Sequence, residues 1–130
     1  MKSEIAVKDI MYNIIKASSL ADAVTGGIYK DQRPLNSTKE DVVISVLASS
    51  TSQVQTFILN VNVYVKDVKR GDEYIENTKR LRTLSDLCFP CLTTGCADGY
   101  CYQLDSQNVI KCSDIAFHCI NNRITLKIHS

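Results

Sequence analysis

Four cysteines crowd one stretch of the chain, and they are the first residues whose types and spacing suggest chemistry. Cys88 and Cys91 form a C-x2-C pair, and Cys96 and Cys101 follow at short spacing. Four thiolates can hold a tetrahedral zinc if the intervening loop folds back on itself. The pattern departs from the usual C-x2-C…C-x2-C knuckle, because no second close pair follows. Cys88 also falls on the apolar stripe of a helix expected just before it, where a thiol serves as a small hydrophobe. A redox role is disfavoured because a reactive C-x-x-C opens a helix, which lowers its thiol pKa, whereas this pair stands where a helix ends. Cys88, Cys91, Cys96 and Cys101 are therefore weak zinc candidates, and no metal or other cofactor is expected.

The next candidates are His118 and Cys119. A nucleophilic cysteine needs a base within hydrogen-bond reach, but adjacent residues on a strand point to opposite faces. His129 lies near the end of the chain, where fraying is common. No carboxylate pair shares a face in the expected elements. Gly26-Gly27 lacks the further glycine and the Lys-Ser/Thr of a phosphate loop. The sequence thus carries no catalytic motif, and no enzyme is expected.

The element that must organise any site is the stretch from Gln53 to Asp67. Phe57, Leu59, Val61, Val63 and Val65 alternate with Ile58, Asn60, Asn62, Tyr64 and Lys66. That period of two predicts a strand with one face on a core and the other partly covered. Before it, Ile5, Val7, Ile10, Met11, Ile14, Ile15 and Ser18 predict a helix over 5–18 with one apolar stripe. Leu20 to Val24 reads as a short added turn, and Gly26-Gly27 stops it. Gly27 to Lys30 reads as a short strand, Asp31 to Lys39 as a turn-rich loop, and Asp41 to Leu47 as a β-branched central strand. Ala48 to Ser52 reads as a hairpin loop into the organising strand.

Lys66 to Asp72 reads as a charged connection. A second helix is expected from Asp72 or Glu73, with Tyr74, Thr78, Leu81, Leu84 and Cys88 facing inward. Glu76 and Arg80 would pair at i,i+4, and Pro90 would end the helix. Tyr100 to Leu104, Val109 to Cys112, Ile115 to Ile120 and Ile124 to Ile128 read as strands, the last two joined by a turn at Asn121-Asn122. The expected fold is α+β, a mostly antiparallel sheet packed against two helices, in the order α-β-β-β-α-β with an extra C-terminal hairpin. Residues 1–130 read as one domain, with a core in 1–88 and a cysteine-rich loop and strands in 89–130.

The 130 residues carry 15 Lys plus Arg against 14 Asp plus Glu, a formal charge of +1. That excludes nucleic acid held by bulk charge, which needs clustered cations on phosphates. No apolar run approaches the roughly 18 residues of a membrane helix, and the N-terminal segment lacks the apolar core of a signal peptide. The expected environment is a reducing cytosol, with all six cysteines as thiols or metal ligands.

The element order resembles that of tail-completion, or tail-terminator, proteins of tailed bacteriophages. Gly26 to Pro34 (GGIYKDQRP), Asn36 to Ile44 (NSTKEDVVI), Gln53 to Gln55 and Val61 to Val65 (VNVYV) are similar to phrases of that family, over roughly residues 1–88. The segment after Cys88 departs from it, since the family has a short connection and one closing strand there. The resemblance implies a structural virion protein, assembled in the host cytoplasm into a homo-oligomeric ring at the head–tail junction or on the tail. Its neighbours would be connector, portal or tail proteins, with no membrane and with nucleic acid at most passing through the lumen. Its working parts would be surfaces: Tyr29 and Lys30 at the end of the short strand, Gln32, Arg33 and Asn36 on the loop after it, Ser49 and Ser50 on the expected hairpin, and Asn60 and Asn62 on the polar strand face. The alternative is a small zinc-stabilised or thiol-rich binding module of a bacterium or mobile element.

Overall fold

A computed structural model describes residues 1–113 and 115–129. Its centre is β3 (Gln55–Lys66), whose residues alternate between buried and half-buried along its length. Phe57, Leu59, Val61, Val63 and Val65 are the buried set. A strand with one dry face needs hydrogen-bonded neighbours on each side. Here β2 (Val42–Thr51) and β8 (Phe117–Ile128) flank it, both antiparallel. The short β1 (Ile28–Lys30) lies parallel to β2. On the far side β7 (Tyr100–Lys111) pairs with β8, and β6 (Thr94–Ala97) pairs with β7. The 6-stranded order is β1-β2-β3-β8-β7-β6. The strands after residue 88 therefore complete the same sheet as those before it.

The helices cover one face of this sheet. In α1 (Glu4–Lys16), the Ser3 side chain accepts a hydrogen bond from the Ala6 N–H, and Glu4 and Lys16 complement the helix dipole at its two ends. Val7, Met11 and Ile15 point into the core, while Ile5, which the sequence placed on the apolar stripe, is exposed. A short α2 (Ser19–Ala23) follows and buries Leu20. The third helix, α3 (Thr78–Leu92), buries Leu81, Leu84, Cys88 and Leu92. The fold is thus α+β with the expected α-β-β-β-α-β order and a C-terminal hairpin, β7–β8.

Several local expectations are corrected. Asp72 to Tyr74 do not open a helix. A small hairpin of β4 (Val68–Arg70) and β5 (Glu73–Ile75) occupies that stretch, Tyr74 is exposed, and Asn77 caps α3 instead. Pro90 lies inside α3 rather than ending it. Burying Leu92 completely is worth roughly 1.5–3 kcal/mol, comparable to the roughly 3 kcal/mol an interior proline costs. Ala48 to Thr51 continue β2 rather than forming a loop. Asn121 and Asn122 lie within β8, not in a turn. Asn122 is fully buried, donates to the Val61 carbonyl (3.1 Å) and to Cys88 Sγ (3.4 Å), and accepts from Gln107 Nε2 (2.9 Å). Saturating its amide in this way allows a polar residue inside the core.

Two buried acids lock the connections at the β1 end. Glu40 receives Arg80 Nε (2.6 Å) and Nη2 (2.7 Å), while the same Nη2 donates to the Ala23 carbonyl. Arg80 thus ties α3 to α2 and the pre-β2 loop; it does not pair with Glu76, which lies outside the helix. Asp41 accepts from Arg33 Nε (2.9 Å), Ser37 Oγ (2.6 Å) and the Gly27 N–H (3.3 Å). Gly26 makes room for both acids, since a Cβ there would stand 2.0 Å from Asp41 Oδ1 and 2.4 Å from the Glu40 carbonyl.

Candidate functional site

The thiols do not converge. Cys88 sits on the inward face of α3, fully buried beneath Asn122. Burial pushes its pKa up to about 12 against a partial lowering by the Asn122 hydrogen bond. Cys91, one turn on, donates to the Cys88 carbonyl (3.4 Å), and burial raises its pKa as well. Cys96 and Cys101 are joined in a disulfide, their Cα atoms 4.1 Å apart. They stand directly opposite each other in the β6–β7 pair. This overturns the expectation of six thiols or metal ligands and removes half of the candidate zinc set. The signal lay in Asp98-Gly99, a strong two-residue hairpin turn, centred between the two cysteines. Gly99 takes a φ of +85° there, a conformation open to glycine at little cost. Among the described residues no three His, Cys, Asp or Glu side chains gather as a metal site would require.

His118 and Cys119 separate as strand alternation requires. His118 Nδ1 lies 2.6 Å from Asp67 Oδ1, while Cys119 lines a groove on the opposite side with Tyr64 and Asn121. The other Asp67 oxygen is buried and has no partner among the described residues. Burial pushes the Cys119 thiol up to about 12, with a smaller like-charge contribution from Cys112. Cys112 is also raised by burial. These thiols are held protonated at neutral pH, the reverse of an activated nucleophile.

A pH dependence follows. Cys88 and Cys119 have folded-state pKa values raised from 9.0 to about 12. Above pH 9 the unfolded chain releases protons that the folded chain retains, so stability is intact below pH 9 and is lost as the pH climbs toward 12. Each thiol contributes a slope of about 1.4 kcal/mol per pH unit. Urea midpoints measured from pH 8 to 11 should fall, and Cys119→Ala should flatten the fall. An identical slope in the variant would show that this thiol does not titrate as described.

The proposed surface residues divide. Arg33 is held within the monomer. Its side chain is 12% exposed; its guanidinium holds Asp41 and the carbonyls of Ser37 (3.3 Å) and Lys39 (2.8 Å), and stacks 4.5 Å from the Tyr64 ring and 4.3 Å from the Phe117 ring. Lys30 pairs with Asp9 of α1 and lies 5.4 Å from the Tyr12 ring. Tyr29 is half-buried in β1, and Gln32 and Asn36 are exposed, Asn36 at a φ of +58°. Ser49 and Ser50 are exposed on β2. Asn60 and Asn62 lie on the face of the sheet away from the helices, each accepting from Asn121 Nδ2, at 3.2 Å and 2.6 Å. Across that face the cross-strand neighbours are Val43, Asn62, Asn121 and Asn108 in one row, and Ser45, Asn60, Arg123 and Ser106 in the next.

No protein-family model matches the chain, and no curated protein is significantly similar to it. No helix among the described residues is long and apolar enough to cross a membrane.

Proposed function

We propose that this chain is a structural subunit of a multi-copy ring, of the kind that joins head to tail or completes the tail in tailed bacteriophages. The observation that carries the reading is the face of the six-stranded sheet away from the helices, which only Arg33 and its loop cover, at the Tyr64 and Phe117 end. It is floored by uncharged amides and hydroxyls (Asn60, Asn62, Asn108, Asn121 and Ser45), with Arg123 among them. Such a face offers hydrogen bonds to a neighbour without the desolvation penalty of a charged surface. The element order and the phrases shared with tail-completion proteins give the reading its class. A near-neutral chain also suits many copies packed side by side, where a strongly charged one would repel itself.

Under this reading the protein is neither an enzyme nor a metal-binding module. It works in the virion after assembly in the host cytoplasm, with connector, portal or tail proteins as neighbours and nucleic acid at most in the lumen. Native mass spectrometry of the purified, unchelated protein over a concentration series tests it. A closed species of fixed stoichiometry, alone or with portal or tail proteins, is the expected result. A monomer carrying one zinc at every concentration overturns the reading in favour of the binding module.

A further inference from the structure

The two edges of the sheet are stepped, and the steps are complementary. On one side β1 covers only Val42, Val43 and Ile44 of β2, leaving Ser45–Thr51 without an outer neighbour. On the other side β6 covers only Tyr100–Gln103 of β7, leaving Ser106–Lys111 without an outer strand among the described residues. The bare stretches carry exposed aliphatic side chains: Leu47 on β2 is 55% exposed, and Val109 and Ile110 on β7 are 46% and 51% exposed.

The registers fix the height of each step. Through β3 and β8, Thr51 lies level with Gln55, Ile128 and Tyr100, and Ala48 with Ile58, Thr125 and Gln103. The protruding β6 therefore stands at the height of the bare half of β2. Likewise Val42 lies level with Val63, Ile120 and Val109, and Ile44 with Val61, Asn122 and Gln107. The protruding β1 stands at the height of the bare half of β7. Both edges also carry a β-bulge where the register shifts, after Val46 in β2 and after Leu104 in β7. Val46 and Leu104 are level with the same pair, Leu59 and Ile124, so the two bulges meet at one height.

We infer that a second copy of this chain docks edge to edge, its β6 filling the step beside β2 and its β7 receiving β1. Strand directions allow it without turning the sheet over. The pairing pattern makes β1, β2, β8 and β6 run one way and β3 and β7 the other. The joint would then pair β6 with β2 in parallel and β7 with β1 antiparallel. The four residues of β6 and the three of β1 span about 13 Å and 10 Å at roughly 3.3 Å per residue, and each fits within the bare stretch opposite. In the β6–β2 half of the joint, Ser45–Thr51 and Thr94–Ala97 contain no charged residue and no proline, the usual guards of an unpaired edge; in the β1–β7 half the charges are Lys30, which is paired with Asp9, and Lys111 at the strand end. Different edges meet in this joint, so it is heterologous, and it closes into a ring when the bend per copy allows. Bulges at the joint supply such a bend.

This joint rests on the ring reading and gives it a specific interface. The test uses two double variants, Leu47→Lys/Ser49→Lys on the β2 edge and Ala97→Lys/Ile110→Lys on the β7 edge. Circular dichroism first establishes that both are folded, and the single variants Ser49→Lys and Ala97→Lys stand in if either is not. Native mass spectrometry should show rings for the wild type, monomers for each variant alone, and a one-to-one heterodimer and nothing larger when they are mixed. A homodimer of either variant overturns the head-to-tail joint. Wild-type rings formed by both variants overturn the edge joint and leave the ring reading in place. A wild-type chain that forms no oligomer, alone or with portal or tail proteins, overturns both.

Discussion

Val61→Asp unfolds the domain. Val61 is fully buried at the middle of β3, between Ile44 of β2 and Asn122 of β8. Its carbonyl already receives the Asn122 amide, and the surrounding core residues Leu59, Val63, Ile120 and Ile124 offer a carboxylate no partner. An unpaired charge in such a place belongs to the small class of substitutions that cost more than about 4–5 kcal/mol. That is a large part of the roughly 5–15 kcal/mol that holds a domain of this kind together. Asn60→Asp is the matched control. It puts the same charge one residue away, on the half-buried outer face, and should leave the fold in place. Far-UV circular dichroism and urea denaturation distinguish the two. A Val61→Asp variant with a wild-type unfolding midpoint would mean that the two faces of β3 have been assigned the wrong way round.

The second large effect is expected at Arg33 and Asp41. The sequence places Arg33 on a contact loop, where alanine should leave the monomer untouched. The structure puts its guanidinium between the rings of Tyr64 and Phe117 with Asp41 as its counter-charge, the Asp41 side chain being 1% exposed. Breaking a buried pair from one side leaves the other charge uncompensated, at about 3–5 kcal/mol. Asp41→Ala should reach that range, because it also releases Ser37 Oγ and the Gly27 N–H. Arg33→Ala should cost somewhat less, since Asp41 keeps those two donors. The double variant should be less damaged than the sum of the two single variants, by more than about 1 kcal/mol. Additive losses in urea unfolding would show that the two side chains act independently.

What the sequence made legible was what repeats locally. β3 shows itself because five alternate apolar residues leave no other period, and α1 because its apolar stripe recurs at three and four. The misreadings share one cause, a partner far away along the chain. Asn121-Asn122 looks like a turn until Val61, 61 residues earlier, is seen to receive the Asn122 amide. Arg80 looks like an exposed partner of Glu76 until Glu40, 40 residues away, takes its guanidinium. Asp105 to Asn108, in the middle of β7, look like a polar turn between two strands because this part of an edge strand is mostly exposed and has no apolar alternation to show. Leu47, Val109 and Ile110 carry no special pattern either; they become notable only because the strands outside them stop short. The disulfide had a local signal in Asp98-Gly99, which the expectation of a reducing compartment left unread.

The place of β8 has a consequence for how the chain comes to be folded. It is the last strand in sequence and yet sits at the heart of the sheet, between β3 and β7. A nascent chain at about 5–20 residues per second needs several seconds to pass from the end of β3 to the end of β8. Through that interval β2 and β3 can form their hairpin, but the other side of β3, with its five core residues from Phe57 to Val65, has nothing to hydrogen-bond. Pairing across so long a stretch is also slow in a finished chain, because the loop must close before any contact rewards it. Synthesis thus opens a brief window in which the growing chain is most vulnerable to self-association, and the arrival of β8 closes it.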